Sequence, residues 1–136
     1  ASACQEDAIH DHPETGEPIF FPDKCLYCAD CIRACPTEAW VSGKTGHIVR
    51  IGGKHGRHPF KGSVVAKFVS DEDVPVIIEK TVEWYNKHGQ GKGRIRIGTL
   101  LREEGMMQSY MAHMKDVFKD KAVKDPKPPL EINIQE

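Results

Sequence analysis

Apolar and polar residues alternate through HIVRIGGKHGRHPFKGSVVAKFV (47–69), on both sides of a basic, glycine-rich middle. Alternation of period two sets one face of an extended chain on a core. The stretch therefore predicts two strands, 47–52 and 63–69, flanking a loop. The period then changes. SDEDVPVIIEKTVEWYNKHG (70–89) opens on acidic residues and Pro75, closes on Gly89, and carries Ile77, Ile78, Thr81, Val82 and Tyr85 at helical spacing. It predicts a helix with that stripe as its buried face. GQGKGR (89–94) reads as a flexible connector, and IRIGTLLREEG as the start of a short helix. MMQSYMAHMKDVFK (106–119) predicts a further helix with Met107, Tyr110, Met111, Met114 and Phe118 along one side. Methionines at that spacing read as core or interface. The tail KDPKPPLEINIQE is expected to run extended along a surface or a partner.

The chemistry is concentrated upstream. DKCLYCADCIRACPTEAW (23–40) holds four of the chain's five cysteines, spaced C-x2-C-x2-C-x3-C-P. That spacing marks a [4Fe–4S] site of the bacterial-ferredoxin type. A tight loop sets Cys25, Cys28 and Cys31 on three corners of one cubane. Cys35 lies beyond the loop, where Pro36 turns the chain away; in two-cluster ferredoxins this fourth cysteine ligates the other cluster. The first cluster then needs a thiolate from elsewhere, and Cys4 remains. A zinc site or a set of buried thiols is the plainer alternative. Zinc ligands, however, usually come as two separated pairs, which this run is not.

An internal echo supports Cys4. ACQEDAI (3–9) aligns with ACPTEAW (34–40), placing Cys4 over Cys35 and Ala8 over Ala39 at an offset of 31. The echo continues, with one residue deleted, as ETGEPI (14–19) against KTGHIV (44–49). Two such halves are what a ferredoxin-like pseudo-repeat leaves in a sequence. Each half is expected to carry a short helix after its last cysteine, then a Thr-Gly turn, then a strand. By the same symmetry a first C-x2-C-x2-C is missing, its third cysteine falling just before Ala1. Either Cys35 is a free buried thiol, or it binds a second [4Fe–4S] cluster whose other ligands lie outside this chain.

Composition narrows the class. With 136 residues there is room for one modest domain or two very small ones. Charged residues are 29% of the chain, yet the net is −1, which argues against a nucleic-acid partner and against an acidic disordered tail. The apolar runs are too short to span a bilayer, and ASACQEDAIH lacks the basic and apolar regions of an export signal. The expected setting is a reducing cytoplasm, where clustered cysteines read as metal ligands; an odd cysteine count also suits disulfide pairing poorly.

Between the two predicted strands, GGKHGRHPFKG (52–62) places Lys54, His55, Arg57, His58 and Lys61 within eight residues. It is a local anion-binding surface, or else an ordinary solvated hairpin tip. Ile51 stands where a phosphate-binding P-loop would need glycine, and two histidines are too few for a metal site.

Taken in order, the cysteine run, a strand, GGKHGRHP, a second strand, the EKTVEWYNKHG helix and RIGTLLREEG resemble the C-terminal end of siroheme-dependent sulfite reductases. The likeness is greatest to the anaerobic and dissimilatory type, in which a ferredoxin domain is inserted into the sulfite/nitrite reductase fold. It covers about residues 3 to 120, and GGKHGRHP followed by VEWYNKHG is its most specific part. The resemblance implies an α+β chain: a ferredoxin-like [4Fe–4S] domain (1–46), a small αβ segment of that fold with C-terminal helices (47–120) and an extended tail (121–136). It implies that electrons from a donor protein or domain pass through the cluster to a siroheme coupled to another cluster, where sulfite is reduced to sulfide. Siroheme carries many carboxylates, so Lys54 and Arg57 would suit contacts to it or to sulfite, with His55 and Lys61 beside them. The four further cysteines of a siroheme–cluster site are not in this sequence. The chain is therefore expected to work with the remainder of a reductase, in the same polypeptide or in another subunit. A one-cluster ferredoxin-type carrier with a C-terminal docking extension is the alternative. A module whose cluster only staples its fold is a third.

Overall fold

The computed structural model describes residues 2–132, which divide into two compact units between Lys44 and Thr45. The fold is α+β. Among the described residues its strands form three two-stranded antiparallel sheets.

In the first unit, β1 (Ile9–Asp11) pairs with β2 (Pro18–Phe20), and the turn between them carries Gly16 at a φ of 71°. The helices expected after Cys4 and Cys35 are not there. The chain instead turns after each cysteine, and the one short helix, α1 (Asp30–Arg33), precedes Cys35. The physical reason is shared by the two places. Asp7 and Glu38, equivalent positions of the pseudo-repeat, both sit in the left-handed region at φ of 49° and 52°. A helix does not propagate through such a residue. This unit buries little: among its described residues only Ala8 and Ile9 are buried apolar positions.

The second unit has a proper core. β3 (His47–Ile51) runs antiparallel to β5 (Ser63–Val69), with register shifts on either side of Val49. β4 (Phe60–Lys61) pairs instead with β6 (Leu130–Glu131), so the tail returns to the basic loop. α2 (Asp73–Gly89), α3 (Ile97–Leu100), α4 (Met106–His113) and α5 (Lys115–Phe118) complete it, followed by a 3-10 turn at Lys119–Lys121. The segment 106–119 is broken where Met114 takes φ −89° and ψ −1°, outside α-helical values. Its stripe still faces inward: Met107, Tyr110, Met114 and Phe118 are buried and Met111 half-buried.

α2 differs from its pattern. Ile77 and Trp84 are its buried residues, and they join Val65, Val69, Leu100 and Tyr110 in the core. Trp84 Nε1 donates to Ser109 Oγ at 3.1 Å, and Thr81 Oγ1 bonds the Tyr110 hydroxyl at 2.9 Å, which fixes the rotation of the helix against α4. That rotation leaves Ile78 and Val82 facing outward, 59% and 50% exposed. Ser70 Oγ and Lys121 Nζ both bond the Asp73 carboxylate at the start of α2, at 2.9 and 2.5 Å. Their hydrogen bonds, Lys121's foremost, hold the Asp73 carboxyl below the usual range. At one crossing the backbone is in contact with itself. A Cβ on Gly98 would lie 2.1 Å from the Gly52 carbonyl oxygen, and one on Gly52 would meet Pro129 at 2.5 Å.

Candidate metal centre

The cysteine loop is built by turns. Lys24 and Cys25 donate their amides to the carbonyls of Phe21 and Pro22, after which Tyr27 and Ala29 adopt left-handed φ of 58° and 64°. These reversals separate Cys25, Cys28 and Cys31 while keeping the chain tight. The Tyr27 amide consequently points at Cys25 Sγ, 3.3 Å away. Ala29 leads into α1, which carries Cys31, and the Cys35 amide closes the helix on the Ile32 carbonyl at 3.3 Å. The Cys28 thiol bonds the Asp30 carboxylate, which with Arg33 lowers that carboxyl's affinity for a proton.

Cys4 and Cys35 occupy matching environments. The Ala8 amide donates to Cys4 Sγ at 3.3 Å, and Ala8 itself is held through its carbonyl by the Phe21 amide at 2.8 Å. At Cys35 the amides of Trp40, Thr37 and Ala39, with the Thr37 hydroxyl, bring the thiol down to about 7 from the ordinary 9.0. Cys31 and Cys35 also share the wall of a cavity of about 240 Å³ with Ala3, Ile9 and Trp40.

All five cysteines are free thiols. Among the described residues no three Cys, His, Asp or Glu side chains gather closely enough to hold a single metal ion. A cubane asks for something wider, since it takes one thiolate at each of four separated corners. Two features of the first unit suit such a group. Soft sulfur donors with amides aimed at them favour thiolates and their cluster chemistry. A unit with two buried apolar residues also needs a staple other than a hydrophobic core.

The basic loop belongs to the second unit. Lys54 and Phe60 exchange backbone hydrogen bonds at 3.1 and 2.9 Å, and Lys54 Nζ lies 4.2 Å from the centre of the Phe60 ring. His55, Arg57 and His58 are exposed at the tip, where Gly56 has φ 116°, and Lys61 is exposed on β4. His55, Arg57 and Lys61 have no shared carboxylate partner among the described residues. Two arginines stood outside the sequence reading. Arg102 also lies over Phe60, 4.7 Å from the ring centre, and pairs with Glu131 at 3.2 Å, while His58 approaches the same carboxylate at 3.7 Å. Arg96 lines a cavity of about 330 Å³ together with Lys54. The alternation in RIRIG is the signal that could have drawn notice to Arg96. No helix among the described residues is long and apolar enough to cross a membrane.

No curated protein matches the chain. A family model described as the nitrite and sulphite reductase 4Fe-4S domain matches residues 9–119. The match takes in the C-x2-C-x2-C-x3-C run, the basic loop and the helices through α5, and leaves Cys4 outside. With both units spanned by that match, the chain belongs to the nitrite and sulphite reductase 4Fe-4S domain family of oxidoreductases.

Proposed function

We propose that this chain is the electron-transferring [4Fe–4S] portion of a siroheme-dependent sulfite reductase. Cys25, Cys28 and Cys31 hold the cluster from one loop, and Cys4 supplies the fourth thiolate. A [4Fe–4S] cluster, when bound, supplies electrons singly at a potential set by its surroundings. The protein's own part is to fix the sulfurs and to aim amides at them, as Tyr27 does at Cys25 and Ala8 at Cys4. Such hydrogen bonds stabilise negative charge on sulfur and raise the potential at which an electron is accepted. Cys35, with three amides around its sulfur, is equipped as a ligand of a second cluster completed from outside this chain.

The observation that carries the reductase reading is the reach of the family match. It does not end with the cysteine run at Pro36 but continues through the basic loop and α2 to residue 119. A carrier needs none of that second unit. Lys54 and Arg57 then serve as cationic donors to siroheme carboxylates or to sulfite, with His55 and Lys61 adding positive potential to the same loop. The remainder of the reductase supplies most of the siroheme site, and a donor protein or domain feeds the cluster in a reducing cytoplasm. The test is turnover of the natively assembled protein with sulfite and with nitrite, before and after Lys54→Gln and Arg57→Gln. Loss of siroheme, or a sulfite KM raised about tenfold or more, is expected from removing one charge-assisted contact. Unchanged siroheme content and unchanged sulfite kinetics in both variants would remove these residues from the site.

A further inference from the structure

The apolar stripe read from the sequence of α2 is wider than the face the core takes up. Ile77 and Trp84 turn inward, whereas Ile78 and Val82, one helical turn apart, are 59% and 50% exposed. The stripe does not end at the helix. Val82 and Tyr85 form one wall of the cavity of about 330 Å³, and Ile95 and Ile97 form the facing one. Tyr85 donates its hydroxyl to the Ile95 carbonyl, so the two walls are tied together and the polar end of the tyrosine is already satisfied. An exposed helical ridge that runs into an apolar cleft is a surface suited to burial by another chain.

Charge says what kind of chain. Lys54 and Arg96 line the same cleft. Neither pairs with a carboxylate among the described residues. The nearby cations and anions that do pair are taken elsewhere: Lys92 by Glu103, Arg102 by Glu131, and Glu83 by His113 at 3.9 Å. Arg96, with Lys54 held over the Phe60 ring beside it, sets positive charge against an apolar floor, which fits a segment that brings apolar side chains and a carboxylate together.

We propose that the ridge and cleft formed by Ile78, Val82, Tyr85, Ile95 and Ile97 are the docking surface for an apolar segment of a partner polypeptide bearing Asp or Glu, which Arg96 receives. The surface belongs to the second unit, and its existence does not depend on sulfite being the substrate.

The test is photocrosslinking in the natively assembled protein with Ile78→p-benzoylphenylalanine, a position exposed enough to accept the larger side chain. The expected product joins Ile78's position to a peptide of another polypeptide that contains apolar residues and at least one Asp or Glu. Arg96→Glu in that background is expected to lower the yield about tenfold, Arg96→Gln to lower it less, and Arg96→Lys to preserve it. Thermal midpoints of the Arg96 variants, measured in parallel, separate lost docking from lost folding. Val82→p-benzoylphenylalanine provides the second attachment point and is expected to reach the same peptide. The proposal is overturned by a crosslink to a second copy of this chain or to the chain's own residues. It is equally overturned by a captured peptide without Asp or Glu, by a yield indifferent to Arg96→Glu in a folded variant, or by no product from either position.

Discussion

The amide of Ala8 donates to the Sγ of Cys4 across 3.3 Å. At an offset of 31 residues the amide of Ala39 adds the smallest part to the lowering of the Cys35 thiol, after those of Trp40 and Thr37. The residues just before these alanines, Asp7 and Glu38, share the left-handed backbone that aims the amides back at sulfur. A repeat that preserves this left-handed residue before the amide supports the proposal that both cysteines are ligand positions. Cys4→Ser should therefore cost the cluster one of its thiolates. Iron counting and EPR are expected to show a lost or three-iron cluster. An intact four-iron cluster at an unchanged potential would remove Cys4 from the ligand set.

Iron removal should affect the two units unequally. The first unit has Ala8 and Ile9 as its buried apolar residues among those described, while the second has a contiguous core from Ile51 to Phe118. Stripping the cluster with a chelator under mild oxidation is expected to open the first unit to trypsin at Lys24 and Arg33 while the region beyond Lys44 resists. The two tryptophans report separately, since Trp40 lies in the first unit and Trp84 in the second. Trp40 should become solvent-exposed and quenchable, and Trp84 should not. Equal resistance of both units before and after iron loss would show that the cluster does not staple the fold.

Packing of the second unit hinges on a crossing of bare backbones. Gly98→Ala puts a methyl 2.1 Å from the Gly52 carbonyl oxygen, where neither side is a flexible side chain. The expected cost is about 2–3 kcal/mol, a fall in thermal midpoint on the order of 10 °C. Gly105→Ala supplies the contrast: its φ is 73° but open space surrounds it, so only backbone strain of about 1 kcal/mol is expected. Calorimetry on the two variants checks the order.

The Cys35 thiol gives the chain a pH signature when the cluster proposed for Cys4, Cys25, Cys28 and Cys31 is in place and Cys35 itself is not a ligand. Its ordinary value of 9.0 is drawn down to about 7, first by the Trp40 amide and then by the Thr37 amide and hydroxyl. A depressed acid stabilises the folded state when ionised. Its contribution is complete above about pH 9, where the unfolded thiol also ionises, and is lost as pH falls through about 7. Alkylation of Cys35, followed by peptide mapping in the folded chain carrying that one cluster, should reach half its maximal rate near pH 7. Thr37→Val is expected to move the midpoint upward. A midpoint near 9 for the unaltered protein would contradict the hydrogen bonding described.

Much of this was legible in the residues, and the exceptions have physical causes. The alternation at 47–52 and 63–69 and the acidic start and glycine end of 70–89 correspond to β3, β5 and α2 within a few residues. Those signals are local, so they survive without knowledge of the partner surfaces. The rotation of α2 was not local. Its apolar residues cover more than one face, and only the bonds from Trp84 to Ser109 and Thr81 to Tyr110 select which one is buried. The expected helices after Cys4 and Cys35 failed because Asp7 and Glu38 turn left-handed, a choice not visible in residue type. The return of the tail to β4 was hidden too, since a two-residue strand carries no period. Spacing was most informative at the cysteines, where the chemistry of sulfur restricts the alternatives. At the basic loop, the grouping of Lys54, His55, Arg57 and Lys61 in sequence was clear, but the cavity that Lys54 shares with Arg96 depends on the folding of residues 95–98 against it.

The central claim, that this chain serves a siroheme reductase, is tested most directly by the visible absorption spectrum of the protein purified under native conditions, recorded before and after sulfite is added. The account predicts siroheme bands that shift with sulfite, in an assembly far heavier than the 15.2 kDa of this chain. A broad iron–sulfur absorption alone, unmoved by sulfite and eluting as a 15.2 kDa monomer, would contradict it.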